Sequence, residues 1–382
     1  MRLRLSCTLL SCALASCTLI LLMALSGCSN VAGSKTISSN NKRVYNGTAS
    51  VGDFLNITID PAAKTLSYTN LSNGTTGIVP YTTSGTGTYV LNDPTGNLVS
   101  AYEVPGYALL IEAQKTGPKK DTPALITAVE SGQISMATFS NHSYNYMQFR
   151  TASGGLEVGS VTISATTAQN SSYWPYGALN PSENNTFHNS TLDFSGAQLD
   201  SSGTFLKNPD GGNSPGADYI FGTSGGFFIV DSPNGAIMGM QKADSAAFVP
   251  TNAGTYKGMF YQKLNAHTGL GNVETGTPSL TQATITITAS GDITITDSAG
   301  NTVSQGTLTP LAEARYLYNG TASELQDPCN GLFTFRITTS SSQQDVFVTF
   351  VNGAVVFSAF SAQLPWTAGN DPYNYMYGIG LK

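Results

Sequence analysis

The sequence predicts an all-β protein, with tandem antiparallel β-meander modules forming barrel- or sandwich-like domains behind an N-terminal signal segment. Three observations predict it. Apolar residues recur at every second position, as in ATITITASGDITIT (283–296). Turn formers punctuate the chain at short intervals, at Asn92-Asp93-Pro94-Thr95-Gly96, Asn208-Pro209-Asp210-Gly211, Asp231-Ser232-Pro233-Asn234-Gly235 and Asn352-Gly353. No window keeps apolar residues at helical spacing without an interrupting Gly or Pro.

The first element is the amino terminus. Arg2 and Arg4 precede an uncharged stretch, Leu5 to Leu25, whose most apolar part is LILLMAL (19–25). Basic residues, an apolar run and small residues in that order make a secretory signal. Leu25-Ser26-Gly27-Cys28 then resembles the lipobox of bacterial lipoproteins. That resemblance covers residues 1–28 alone. It implies that the Cys28 thiol receives a diacylglyceryl group, that the chain is cut before Cys28, and that the new amino group is acylated. It places the protein in a bacterial cell envelope, tethered to the membrane by lipid. Ser29 rather than Asp after the cysteine favours the outer membrane, with a periplasmic or surface-facing fold. Two other readings stand beside it: an ordinary cleaved signal, with Ala13-Leu14-Ala15 as its small-residue motif, and an uncleaved anchor. The Ser, Thr and Cys scattered through the stretch weigh against a permanent span.

Residues 1–27 are thus read as signal peptide and 28–42 as a flexible tether, small, polar and without periodicity. The folded part divides into an N-terminal β domain, 43–250, of one or two meander modules, and a C-terminal barrel or sandwich domain, 251–382. AAFVPTNA (246–253) marks the boundary. The Gly-x-aromatic opening of GTYKGMFYQKL (254–264) gives the second domain a lipocalin-like shape analogy.

Two hairpins carry the fold prediction. In 283–296, Ile285 and Ile287 return as Ile293 and Ile295 after Ala289-Ser290-Gly291-Asp292. In FLNITIDPAAKTLSY (54–68), Leu55, Ile57 and Ile59 return as Leu66 and Tyr68. The closing YNYMYGIGLK is expected to pair back into a sheet. Internal similarities suggest duplication: SGQISMATFS (131–140) with NGAVVFSAFS (352–361), each followed by Tyr-Asn-Tyr-Met (144–147 and 373–376), and GTYVLNDPTGN (87–97) with GTFLKNPDGGN (203–213). YNGTAS recurs at 45–50 and 318–323 in another frame.

Composition limits function. Processing takes Lys+Arg from 17 to 15 against 23 Asp+Glu, a net charge of −8. With no basic patch, nucleic acid is not an expected partner. Of five cysteines, Cys7, Cys12 and Cys17 leave with the signal and Cys28 is the lipidation site. Only Cys329 remains, so no intramolecular disulfide forms. The Asn-x-Ser/Thr triplets at Asn46, Asn56, Asn73 and Asn319 are assigned no role in a bacterial envelope.

No catalytic constellation stands out, and an enzyme is not expected. His142, His188 and His267 are isolated from one another and flanked by Asn, which suggests loops. No zinc signature, nucleophile elbow or phosphate loop is present, and neither cofactor nor metal is expected. Glu103, Glu112, Glu130, Glu157, Glu183, Asp193 and Asp218 are candidates for a carboxylate pair of the glycosidase kind. Asp93, Asp210, Asp231 and Asp297 fit turn-opening residues better than calcium loops.

Aromatic residues give the remaining hint. Tyr173, Trp174 and Tyr176 cluster in one apparent loop, and Trp366 lies in another. Exposed rings there would stack on a glycan or an apolar group. The alternative is that they plug the ends of a barrel or sandwich. The leading functional reading is a binding or scaffolding envelope protein. A lipocalin-like carrier of an apolar small molecule and a polysaccharide-active hydrolase are the alternatives.

Overall fold

The structure is a computed structural model. It describes residues 41–113, 123–140, 142–150, 156–173, 187–209, 216–223, 226–233, 235–267, 278–311, 317–318, 321–322, 330–351, 353–363 and 373–382. The described chain is almost entirely antiparallel β, as the period-2 pattern predicts; α1 (Met136–Phe139) is a single short turn of helix.

Residues 43–130 close an eight-stranded barrel in simple sequence order. Its strands are β1 (Arg43–Ala49), β2 (Asp53–Asp60), β3 (Thr65–Asn70), β4 (Thr76–Gly85), β5 (Thr88–Leu91), β6 (Leu98–Val104), β7 (Ala108–Ala113) and β8 (Ala124–Glu130). Pairing of β1 with β8 shuts it. The hairpin expected at 54–68 is β2–β3, with Ile57 opposite Tyr68 and Ile59 opposite Leu66.

A nine-stranded sheet follows, built from β9 (His142–Arg150), β10 (Leu156–Ile163), β11 (Thr167–Tyr173), β12 (Phe187–Asp193), β13 (Gln198–Leu199), β14 (Leu206–Asn208), β15 (Asp218–Gly222), β16 (Phe227–Ser232) and β17 (Gly235–Gln241). A second nine-stranded sheet contains β18 (Gly254–His267), β19 (Pro278–Ile287), β20 (Asp292–Asp297), β21 (Thr302–Thr307), β22 (Thr309–Pro310), β25 (Leu332–Thr338), β26 (Ser342–Val351), β27 (Ala354–Gln363) and β28 (Tyr373–Leu381). The small hairpin β23 (Leu317–Tyr318)–β24 (Thr321–Ala322) stands apart from it. The second predicted hairpin is β19–β20, with Ile285 opposite Ile295 and Ile287 opposite Ile293. The closed barrel is therefore residues 43–130, and the segment from Gly254 onward, which suggested a lipocalin-like shape, forms one of the nine-stranded sheets instead.

The two large sheets share one plan. Three strands step outward as a meander from the first strand. The later strands come back from the other side until the last pairs with the first, β17 on β9 and β28 on β18. The expected return of YNYMYGIGLK is thus met, in mid-sheet. Duplication is visible in topology, but two of the sequence matches that suggested it fall in non-equivalent places. Residues 131–140 form a loop and α1, whereas their partner segment lies in β27. The two Tyr-Asn-Tyr-Met runs fall on non-equivalent strands, β9 and β28, and in opposite phase. Tyr146 joins the inner core of its sheet, while Tyr375 joins the core shared between sheets. The second YNGTAS lies largely outside the described residues.

Each unit buries a core of its own. The barrel lumen holds Tyr45, Leu55, Ile57, Ile59, Tyr81 and Tyr89 among others. The first large sheet curls around Phe139, Tyr146, Ile220 and Phe228. The second curls around Ile285, Ile295, Phe335 and Phe357. A further core joins all three: Phe54, Leu110 and Val129 from the barrel exterior meet Met147, Phe149 and Phe221 of one sheet and Tyr261, Phe347 and Ile379 of the other. Full burial of such side chains contributes about 1.5–3 kcal/mol each.

The units are fitted closely. Gly52, at φ +83°, turns β1 into β2 where an added Cβ would lie 2.5 Å from the Pro233 carbonyl. Only glycine suits both that backbone conformation and that approach. At the C-terminus, Lys382 Nζ donates to the Thr251 and Ala253 carbonyls, each at 2.8 Å, and lies 4.9 Å over the Tyr256 ring.

Strand registers give the three-sheet body two ends. At one, Gly52 meets Pro233, Gly235 pairs with Arg150, and Tyr173 pairs with Phe187. Phe149, in the last pair of β9–β10, packs at 5.5 Å on Tyr375, two residues into β28. The connections 151–155, 174–186 and 364–372 therefore leave and re-enter at this end. At the other end, β1 begins at Arg43, Tyr107 OH donates to the Val351 carbonyl, and Lys382 N–H donates to the Gly353 carbonyl. The seven residues of β1 separate the two ends of the barrel, by roughly 20 Å.

Candidate functional site

Among the described residues, the densest polar site is inside one end of the barrel. β1 alternates inward residues Arg43, Tyr45, Gly47 and Ala49, so its first inward position is a cation in an apolar lumen. Glu103, inward on β6, meets it in a two-pronged pair: Arg43 Nε–H donates to Oε1 at 2.6 Å and Nη2–H to Oε2 at 2.7 Å. Tyr45 OH donates to Oε1 at 2.6 Å, and Tyr89 OH donates to Oε2. Tyr45 OH in turn accepts the Gly106 N–H at 3.1 Å. Arg43 is 8% exposed and Glu103 5%. The hydrogen bonds from Arg43 to Glu103 raise the guanidinium pKa against the opposing effect of burial. Burial, then the neighbouring Glu103 charge, pushes both the Tyr45 and Tyr89 phenols well up. The site is neutralised and both carboxylate oxygens are occupied. Its geometry closes the barrel end and presents no open position for a reacting group.

The other sequence candidates are dispersed. Glu112 faces outward from β7, accepting Ser100 Oγ–H at 2.7 Å and Gln282 Nε2–H at 3.1 Å, while Tyr102 OH donates to Gln282 at 2.8 Å. That network stitches the barrel exterior to β19. Glu157 accepts from Tyr146 OH on the inner face of the first large sheet. Asp193 caps a turn by accepting Ser195 N–H at 2.8 Å. Glu130 ends β8. Glu183 lies outside the described residues. The described candidates thus stand on different faces and different units.

Asp93 and Asp297 behave as turn residues. Asp93 accepts the Thr95, Asn97 and Leu98 N–H groups, and Asp297 those of Ala299 and Asn301. Asp231 does not. It is a buried strand residue of β16, accepting from Thr48 Oγ1 across the seam to β1. The sequence shows a turn here because the turn, at Pro233, follows only two residues later. Asp210 is outside the described residues. No group of three His, Cys, Asp or Glu side chains able to hold a metal is found among the described residues.

His142, His188 and His267 lie on strands β9, β12 and β18 rather than in loops. His142 is exposed and edge-on to Tyr144. Asn46 is 1% exposed, with Nδ2–H donating to the Thr204 carbonyl at 2.9 Å, so that triplet is not an acceptor site for a glycan. Cys28, Trp174, Tyr176, Trp366 and Cys329 lie outside the described residues. Tyr173 ends β11 opposite Val158; its side chain is likewise outside.

Sequence reading singled out Glu103 without its partners. The signal for Arg43 was its phase. A charged residue on the inward alternation of a strand needs a buried counter-charge.

Burial drives the pKa of Asp218, at the start of β15, up to about 6.

No protein-family model matches the chain, and no curated protein is similar to it. Solved structures align loosely. Transferrin binding protein B of Haemophilus parasuis Hp5, as a double mutant, is 7% identical over 89% of this chain and 76% of its own, with a TM-score of 0.23. Isotype 1 transferrin binding protein B from serogroup B Neisseria meningitidis is 11% identical over 90% and 77%, with a TM-score of 0.19. A candidate outer membrane protein of Bacteroides fragilis is 9% identical over 90% and 98%, also at 0.19. Superpositions this loose assign this chain neither fold nor role.

Two outcomes are expected. Glu103→Gln leaves the buried Arg43 without its counter-charge and should lower unfolding free energy by about 3–5 kcal/mol, measured by urea titration. Replacing both by apolar residues of similar size should restore most of it. For Asp218, the folded pKa lies above the unfolded one, so the folded state holds the proton more tightly. Stability then falls as pH rises from the usual carboxylate value through about 6. Asp218→Asn should remove that fall and melt higher than the parent at neutral pH. An unchanged pH dependence between parent and variant would refute the assignment.

Proposed function

We propose that this chain is a lipid-anchored protein of a bacterial cell envelope that binds or scaffolds and carries no catalytic centre of its own. The observation that carries the reading is Leu25-Ser26-Gly27-Cys28 at the end of the apolar run. The fold supports attachment through lipid rather than through the barrel. A membrane-spanning barrel is apolar outside and polar within. Here the lumen is filled with Ile, Leu and Tyr. The uncovered exterior carries Ser67, Thr82 and their neighbours, with Ile78 and Val90 as isolated apolar residues. No helix among the described residues is long and apolar enough to cross a membrane. Two or three acyl chains on Cys28 would hold the protein stably, where a single chain binds only marginally. Ser29 after the cysteine favours the outer membrane.

The binding role is assigned to the aromatic segments. Trp174 and Tyr176 follow β11, and Trp366 follows β27. The ends of these strands lie at the same end of the three-sheet body, and β1, to which the tether connects, starts at the other. Anchored in this way, the chain would offer Tyr173, Trp174, Tyr176 and Trp366 away from its attachment point, to a glycan or an apolar group. A carrier role draws no support from the barrel: eight strands enclose room for their own side chains or for one small ligand, and here buried Ile, Leu and Tyr side chains occupy the lumen.

Cys28→Ala should release the protein from membranes or leave an unprocessed precursor. Fractionation of the mutant with membranes at mature mass would defeat the lipid-anchor reading. Trp174→Ala should change stability by no more than about 0.5 kcal/mol if the ring is a surface contact. A loss of about 3–5 kcal/mol would mark a buried plug instead and remove the stacking role.

A further inference from the structure

Four buried polar atoms lie along the seam of the shared core. They are Asn145 Oδ1, Thr349 Oγ1, Ser358 Oγ and Tyr377 OH; the first three have no hydrogen-bond partner among the described residues, and Tyr377 OH has the Thr127 side chain beside it. Their residues are 0–3% exposed. All four sit on the side of their strands that faces the neighbouring units. Phe347 and Val351, which flank Thr349 in phase, belong to the shared core, as do Val356 and Phe360 around Ser358.

The registers bring them together. Ser358 and Tyr377 are directly opposite across β27 and β28. Thr349 pairs with Val356, which makes it the diagonal neighbour of Ser358. Such diagonal pairs are roughly 7–8 Å apart, too far for a direct hydroxyl bond and suited to one intervening molecule. Asn145 approaches from β9 of the other large sheet. Its Nδ2–H donates to the Asn330 carbonyl at 2.7 Å, and Leu332, two residues further on, is the partner of Thr349. Thr127 of β8 lies beside the Tyr377 hydroxyl, so the barrel reaches the same place.

An unpartnered buried hydroxyl or amide oxygen costs about 1–3 kcal/mol, and three along one seam would be a heavy load on a protein of ordinary stability. Apolar replacements are sterically simple here, Val for Thr349 and Ala for Ser358. The seam is otherwise lined by Met, Phe, Leu and Tyr rings, so the polar atoms form an island and not an edge open to bulk solvent.

We propose that Asn145, Thr349, Ser358 and Tyr377 form an internal hydration site, in which ordered water bridges the two large sheets and reaches the barrel at Thr127. A site of this kind needs two to four polar partners per water, and the island supplies them from three units. Hydrocarbon packing is indifferent to small rotations, whereas water bridges are directional. The site would therefore fix how the sheets are set against one another.

A crystal structure of the mature chain tests this directly. The expected result is one or more solvent peaks within hydrogen-bond distance of at least two of the four atoms. Hydroxyls bonded to one another or to backbone, with no solvent peak between them, would overturn the proposal. Thermal melts of Thr349→Val with Ser358→Ala give an independent reading. If water is bound, the double variant loses its ligands and should melt several degrees lower. If the hydroxyls are bare, the variant removes an unfavourable burial, and an unchanged or higher midpoint would count against the site.

Discussion

The structure depends on β-sheets that are apolar on both faces. A barrel or a curled sheet needs only one apolar face, directed inward. Here the outward faces of β7, β8, β9, β17, β26, β27 and β28 are apolar as well, because three units share a fourth core between them. Each large sheet places its first and last strands side by side at its middle, β9 with β17 and β18 with β28. These are the strands that contribute Met147, Phe149, Met238, Met259, Tyr377 and Ile379 to the shared core. The return of the last strand to the first is thus what sets a doubly buried ribbon where the neighbouring units can cover it.

That constraint explains which parts of the fold were legible. Peripheral strands alternate, and the hairpins at 54–68 and 283–296 can be paired residue by residue from their Ile and Thr positions. Central strands do not alternate. ALLI (108–111), FFIV (227–230) and AVVF (354–357) read as unbroken apolar runs, which is how strands buried on both faces look. The run itself reports double burial, but it has no phase, so it cannot report which unit covers which face. This is also why short identities misled. Tyr-Asn-Tyr-Met suits any strand with two dry faces, and it occurs in two of them in opposite phase, once with the tyrosines toward a sheet's own core and once with Tyr375 toward the shared one.

Among the described residues, polar side chains mark the seams and ends of this architecture. Arg43 and Glu103 satisfy each other at a barrel end, with two phenols taking the remaining lone pairs. Thr48 and Asp231 join the barrel to one large sheet, and Gln282 joins it to the other through Ser100 and Glu112. The carboxylates that sequence offered as catalytic candidates therefore divide among separate structural duties. One strand of sequence holds the evidence for the first duty, since Arg43 and Tyr45 share the inward phase of β1. The partner lies 60 residues away, and no local pattern in the chain connects the two.

The distribution of these features has a direction. The end of the body where β1 starts is closed by the Arg43–Glu103 site and by the Lys382 clasp, and the connections 131–141 and 242–253 leave and re-enter there. The opposite end carries the long connections 174–186 and 364–372. Both tryptophans of the chain fall in those two connections. In the function proposed above, one closed barrel and two sheets of the same plan hold that end away from β1, which the tether precedes.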